Sequence, residues 1–359
     1  MNIPRLNDFA HRLCAWQRTH GRHGLPWQHG RDPYRIWLSE IMLQQTRVET
    51  VIPYYERFLA RFPDVGSLAV APVEDVMALW SGLGYYARAR NLHRAACMIM
   101  ADHAGQFPHR AATIATLPGV GRSTAAAIAA FAFGERVAIL DGNVKRVLCR
   151  LFGVDGFPGE RAVEERLWAL AESLLPERDI GRYIQAQMDL GATVCTRSRP
   201  ACAHCPFQHD CVAYREDRLA TLPAPRPKRA VPRRSARYAV ILHENAVLLE
   251  RRPPAGIWGG LLALPEIPDT TDDISAWAMV RFGLERAQPS PLTPFTHAFT
   301  HFVLELQPVL IRSATRPPLC ADAAALQWLA LDAREGAALP APVRRIVDAL
   351  AAPGLFTLG

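Results

Sequence analysis

The sequence predicts two domains of different class: a mainly α-helical domain over the first two-thirds of the chain and an α+β domain after it. Three observations carry this expectation. Apolar residues recur at helical spacing from the amino terminus up to Cys195, with no convincing run of alternating strand pattern. Four cysteines, Cys195, Cys202, Cys205 and Cys211, then fall within one short stretch at the spacing C-x6-C-x2-C-x5-C. Beyond a basic, proline-rich stretch the periodicity switches toward two. With 359 residues the chain is long enough for two separate cores. Half of it is hydrophobic and 21% is charged, which excludes disordered and fibrous classes.

Leu6, Phe9, Ala10 and Leu13 begin the helical pattern, which stops at the turn signals Gly21 and Gly24 before Leu25-Pro26-Trp27. Asp32-Pro33 reads as a helix cap with proline in the first turn and opens a helix through Ile36, Trp37, Ile41 and Met42 to about Gln45. Val48, Val51, Ile52, Tyr55 and Leu59 form the next helix. The loop Gly82-Leu-Gly-Tyr85-Tyr86 separates two further helical segments, the second carrying Arg88, Arg90 and Arg94. Leu117-Pro-Gly119-Val-Gly121 is a tight turn before the alanine-rich helix Ser123 to Phe133, and its glycines allow backbone N–H groups to face a phosphate; an ordinary interhelical turn is the plainer alternative. Val137 to Asn143 leads into a helix with apolar Val144, Val147, Leu148 and Leu151, so Asp141 stands at its N-terminus, where capping alone would explain it.

From 215 to 237, four prolines stand with eight arginines or lysines against two acids, which predicts a basic linker over 215–236 between domains at 1–214 and 237–359. After it, Tyr238 to Leu242 and Ala246 to Leu249 flank a turn as in a hairpin. Thr271-Asp-Asp opens a helix that Gly283 ends, and Phe302 to Leu310 reads as a strand.

The amino terminus lacks a secretory pattern and the longest apolar run, Thr124 to Phe133, is too short for a bilayer, so a cytoplasmic protein with no membrane partner is expected. A net charge of +7 suits a polyanion, although solvated arginines give the same balance. Cys14, Cys97 and Cys149 lie in helical patterns and are expected to be buried free thiols. The clustered four form a metal-site pattern rather than a disulfide pair in a reducing compartment. Four thiolates suit zinc or an iron–sulfur cluster, and the spacing alone matches no standard run of either.

Taken together, Trp37-Leu-Ser-Glu40-Ile-Met-Leu-Gln-Gln45-Thr, Gly82-Leu-Gly-Tyr85-Tyr-Ala-Arg, Leu117-Pro-Gly-Val-Gly-Arg-Ser123-Thr-Ala, Leu140-Asp141-Gly-Asn143-Val and the cysteine spacing, in this order, resemble the MutY-type adenine DNA glycosylases of the helix–hairpin–helix superfamily. The resemblance covers essentially the whole chain. It implies a 4Fe-4S cluster on Cys195, Cys202, Cys205 and Cys211, and base excision repair of adenine opposite 8-oxoguanine or guanine in double-stranded DNA. Glu40 is then the general acid at adenine N7 and Asp141 the stabiliser of the oxocarbenium-like sugar, with Asn143 and Ser123 beside them in the catalytic set. An apolar setting would keep Glu40 protonated and a helix N-terminus would keep Asp141 ionised. Relatives that also cleave the backbone carry lysine where Ser123 stands, so a monofunctional enzyme is expected, with Lys145 too far along the next helix to substitute.

The resemblance further places Gln45 and Tyr85 at intercalating positions around a flipped base. Trp27 and Gln185 are candidates for the adenine pocket, and Leu117, Gly119, Gly121, Arg197 and Arg199 for backbone contact. The second domain resembles a Nudix fold from Gly260 to Glu266, but Ile274-Ser275 and Ala278-Met279 occupy the positions of its magnesium-binding acids. That favours recognition over hydrolysis, with Phe299-Thr300-His301 as the 8-oxoguanine loop, threonine replacing the family serine, and His297 near it. A superfamily glycosylase for thymine or uracil, or a catalytically idle mismatch binder, are the competing expectations.

Overall fold

A computed structural model describes residues 8–227, 231–253, 256–299, 301–316 and 325–352. The chain divides into two compact units, one of residues 1–70 with 91–228 and one of 71–90 with 229–359. The expected boundary near 214 therefore needs a correction: residues 71–90 group with the carboxy-terminal unit. Their partners lie there, as the Tyr86 hydroxyl donating to the Leu339 carbonyl at 3.0 Å illustrates.

In the first unit the helices are α1 Phe9–His20, α2 Pro33–Leu43, α3 Val48–Arg61 and α4 Val65–Ala69. Helix α5, Val73–Leu79, lies within 71–90, and α6 spans Ala87–Asp102. There follow α7 Ala111–Ile114, α8 Arg122–Phe133, α9 Gly142–Phe152, α10 Arg161–Ser173, α11 Ile180–Asp189 and α12 Val212–Arg215. Asp32 caps α2 as the sequence suggests, its carboxylate accepting from the N–H groups of Tyr34 and Arg35. Helix α8 ends at Gly134 with φ +70° and α9 at Gly153 with φ +62°, left-handed stops that glycine adopts without strain. One core gathers Phe9 and Leu13 of α1, Ala126, Ala127 and Ala130 of α8, Val147 and Leu148 of α9, Leu167 of α10, and Tyr183 and Ile184 of α11. Phe207 stacks on Phe9 with ring centroids 4.7 Å apart, and Cys195, Cys205 and Cys211 pack against the same core, so the cysteine stretch is seated on the helices.

The second unit holds a mixed sheet of β1 Arg233–His243, β2 Ala246–Arg251, β3 Leu262–Ala263, β4 Glu266–Ile267, β5 Pro289–Pro291, β6 Phe295–Ala298, β7 Val303–Arg312 and β8 Leu326–Ala330. Its main path runs β3-β2-β1-β7-β5. Strands β1 and β7 run parallel, in register from Arg233↔Val303 to Leu242↔Arg312. Because that ladder starts at Arg233, the strand claims the last four residues of the expected linker: backbone pairing, not composition, sets the boundary. Helix α13, Ile274–Phe282, is capped by Asp273, ends at Gly283 and packs Ala278 and Phe282 on Ala239, Ile241 and Ile311; α14 spans Ala341–Ala351. Among the described residues no helix is long and apolar enough to cross a membrane.

Candidate active site

The first unit contains a cavity of about 750 Å³, the size of a small-molecule site. Ile36, Glu40 and Leu43, at i, i+4 and i+7 of α2, present one helix face to it. Trp27 and Gln185 line it too, so three of the sequence-predicted residues, Glu40, Trp27 and Gln185, meet around one space. Trp27 is half-buried and packs edge-on against Tyr55 at 5.4 Å.

Glu40 keeps some accessible surface, yet protein atoms crowd its carboxyl. Burial, with the nearby negative charge of Asp141, pushes its pKa up to about 8, so it carries a proton at neutral pH. Asp141 caps α9, its Oδ1 accepting from the Val144 N–H at 2.7 Å. The expectation that the helix end alone keeps Asp141 ionised is corrected: burial raises its pKa, against the lowering by the Val144 and Asn143 N–H groups and the charges of Arg146 and Lys145. Of the pair, Asp141 still has the better claim to the negative charge, because those donors and cations favour it while Glu40 is left with desolvation and a like charge.

Ser123 and Asn143 are engaged with backbone and neighbours. The Leu140 N–H donates to Ser123 Oγ at 2.9 Å, which ties the start of α8 to the segment entering Asp141. Asn143 Oδ1 accepts from Arg146 Nη2 at 2.8 Å, and the same nitrogen donates to the Gly191 carbonyl at 2.7 Å. Gly191 begins the close approach of the π-helical turn Leu190–Val194 to α9: a Cβ there would stand 2.5 Å from that of Asn143. Lys145 is held by Glu164 at 2.6 Å.

In the hairpin, Gly119 has φ +79° and a Cβ on it would meet Asn91 Cβ at 2.8 Å, so the turn that joins α7 to α8 requires glycine there on both counts. Leu117 is buried, its carbonyl accepting from the Val120 N–H, and Gly121 caps α8. Gln45, exposed, has φ +60°, and Tyr85, half exposed, has φ +49°. Such a left-handed backbone is unusual for either residue and collects at functional positions. Around Tyr85 the turn is fastened by Arg88, which donates to the carbonyls of Leu83 and Gly84 and lies 5.5 Å over the tyrosine ring.

The four clustered cysteines line a second, small cavity, and all the described cysteines are free. Burial raises the thiols of Cys202, Cys205 and Cys211, that of Cys205 to about 12. The donor set is four thiols and suits a group bound through sulfur. Among the described residues no three His, Cys, Asp or Glu side chains gather into a single-ion site; the thiols surround the cavity instead. Arg150, missed in the sequence, is the hub: 3% exposed, it donates to Cys195 Sγ at 3.4 Å and to the carbonyls of Thr196, Arg197, Leu219 and Leu222. Arg146 adds a 2.7 Å bond to the Cys195 carbonyl. The spacing of Asn143, Arg146 and Arg150 at i, i+3 and i+7 beside an apolar stripe was the available signal. Arg197 and Arg199 are exposed. Cys149 is buried as expected and Cys14 partly so, whereas Cys97 is exposed because it stands on the outer face of α6.

In the second unit Phe299 lies between β6 and β7, in the tip of an antiparallel hairpin. Its ring stacks on Phe302 at 4.6 Å and meets His297, which belongs to β6 and not to the loop, at 4.8 Å. His301 is exposed, and Thr300 lies outside the described residues. On α13, Ala278 is buried and Met279 exposed, so neither position offers a metal a carboxylate.

Residues 38–173 match the family model described as "HhH-GPD superfamily base excision DNA repair protein", and residues 237–349 match the NUDIX domain. The chain is 34% identical over 340 residues to the adenine DNA glycosylase of Buchnera aphidicola subsp. Acyrthosiphon pisum (strain APS), covering 95% of this chain and 97% of that protein. To the human adenine DNA glycosylase it is 31% identical over 406 residues, covering 96% and 74%. Among solved structures, a thermostable thymine-DNA glycosylase superposes with a TM-score of 0.54 at 30% identity, covering 58% of this chain and 96% of that one.

Proposed function

We propose, since this chain belongs to the adenine DNA glycosylases, the N-glycosyl hydrolases of base excision repair, that its substrate is adenine mispaired with 8-oxoguanine or guanine in double-stranded DNA. The observation that carries the chemistry is Glu40, a carboxyl that keeps its proton to about pH 8 while lining a cavity with ample room for a base. In this reading the flipped adenine occupies the cavity beside Trp27 and Gln185, and Glu40 delivers its proton to adenine N7 as the glycosidic bond lengthens. Asp141 then faces the growing positive charge on the sugar and stabilises it, as paired carboxylates of unequal proton affinity do in glycosidases. Asn143 and Ser123 hold the segment that carries Asp141.

The absence of an amine at Ser123 and the engagement of Lys145 with Glu164 support hydrolysis without strand cleavage. The strained backbones at Gln45 and Tyr85 support their insertion into the stack, and the exposed Arg197 and Arg199, with the turn from Leu117 to Gly121, support phosphate contact. The Phe299–Phe302 stack supports a flat recognition surface for 8-oxoguanine, with Thr300 and His301 supplying polar contacts. Cys195, Cys202, Cys205 and Cys211 would hold a 4Fe-4S cluster, whose iron–sulfur bonds would cross-link the loop that bears the two arginines. The enzyme acts as a cytoplasmic, nucleoid-associated monomer in this reading.

Purified protein incubated with an 8-oxoguanine:adenine duplex should release free adenine and leave a strand cut only after alkali. Intact binding without release under single-turnover conditions would leave a mismatch binder; release of thymine or uracil instead would move the chain to another branch of the superfamily.

A further inference from the structure

We propose that Asp189, paired with Arg22, is a positioning residue that fixes the Gln185 amide with its oxygen toward the cavity, so that the site selects a purine bearing an amine at position 6. This rests on the adenine-releasing reading above.

Asp189 is the last residue of α11 and has no accessible surface. Its Oδ1 accepts from Arg22 Nε at 2.8 Å and from Gln185 Nε2 at 2.9 Å, while Oδ2 accepts from the Arg22 backbone N–H at 3.1 Å. A carboxylate paired with a guanidinium offers acceptors only. Gln185 therefore has to turn its NH2 group toward Asp189, an orientation set by hydrogen-bond chemistry, since the two ends of the amide have the same shape. What remains for the cavity that Gln185 lines is the carbonyl Oε1, which has no hydrogen-bond partner among the described residues. Adenine offers an N–H donor at position 6 where guanine offers an oxygen acceptor. The amide oxygen meets the first with a hydrogen bond and the second with repulsion.

The same carboxylate also holds a second part of the lining. The Arg22 carbonyl accepts from Gln28 Nε2 at 2.9 Å, and Gln28 Oε1 accepts from the Leu25 N–H at 3.2 Å. The segment bearing Trp27 is thus tied through Arg22 to α11, so one ion pair with a fully buried carboxylate fastens two parts of the lining and sets the polarity of one of them.

The test compares single-turnover release of adenine, unsubstituted purine and hypoxanthine, each opposite 8-oxoguanine, by the wild type, Asp189→Asn and Gln185→Met. Ratios between bases within one preparation do not depend on how much of it is folded. In both variants the preference for adenine over hypoxanthine should fall about tenfold relative to wild type, the worth of one neutral hydrogen bond. Should Asp189→Asn fail to fold with Arg22 stranded, the combination Arg22→Gln with Asp189→Asn leaves no buried charge and is read the same way. Equal slowing on all three bases, with ratios unchanged in the Asp189 variant or in Gln185→Met, assigns Asp189 a structural role only and overturns the proposal. A wild type that releases no adenine overturns the glycosylase reading and this inference with it; normal release with unchanged ratios sinks this inference alone.

Discussion

The cavity at Glu40 and the pocket of the four cysteines apply the same physics to opposite ends. In both, burial raises the pKa of an acid, to about 8 for Glu40 and about 12 for Cys205. Under the proposed chemistry the proton retained at the cavity is the useful product, because it is what a departing base needs. Around the cysteines the retained protons would oppose the proposed cluster, because thiolates and not thiols bind metal. Desolvation is therefore neutral as to function. What surrounds the acid decides: Asp141 beside Glu40 reinforces the proton, whereas the positive charge of Arg150 works against burial at Cys202.

The largest expected effect breaks the cavity side of this comparison. Glu40→Gln keeps shape and removes the transferable proton, so single-turnover adenine release should fall by about 10²–10⁴-fold with duplex binding retained, as read by gel shift and quenched-flow. Unchanged turnover would remove Glu40 from the mechanism. Asp141→Asn preserves an oxygen for the Val144 N–H but deletes the charge. A loss of about 10²–10³-fold in release, with α9 intact by circular dichroism, is expected.

A pH series sharpens the contrast. Wild-type release should decline as pH rises through about 8, where Glu40 loses its proton. Its folded pKa lies above the unfolded value, so the folded state binds the extra proton between roughly pH 4.5 and 8 and loses stability as pH rises through that window, by at most about 1.4 kcal/mol per unit. Glu40→Gln should abolish this slope in denaturant titrations followed across pH, becoming the more stable protein at the alkaline end. The cysteine pocket should respond in the opposite sense: reconstitution with iron and sulfide should release protons and weaken as pH falls, measurable by visible absorbance and proton release. Cys205→Ser should lower that absorbance and the melting temperature more than it lowers the rate per correctly loaded molecule.

Much of this was legible in the sequence because it is local. Asp32 before Pro33 announced the cap of α2, Gly283 the end of α13, and the cysteine spacing its cluster, since each needs only neighbours in the chain to act. Glu40 was readable through the resemblance, and its apolar helix neighbours gave the reason for a raised pKa. Arg150 was readable only as a basic position beside an apolar helix stripe, and Asp189 not at all. Their partners lie 45 to 72 residues away for Arg150 and 167 for the Arg22–Asp189 pair, and a buried charge looks like an exposed one until its partner is found. The left-handed backbones of Gln45 and Tyr85 were equally hidden, because nothing in glutamine or tyrosine favours that conformation.

The grouping of residues 71–90 with 229–359 also bears on the order in which the chain can fold as it is made. The ribosome delivers residue 90 and then 138 more residues before the first of its partners at 229 exists, an interval of roughly 7–28 s at the usual pace of synthesis. During that time the helical unit can close only around a gap in its own sequence, and the strand pairing of β1 with β7, whose partners stand seventy residues apart, comes later still. The turn that carries Tyr85 is thus among the first parts synthesised and the last to find its final surroundings.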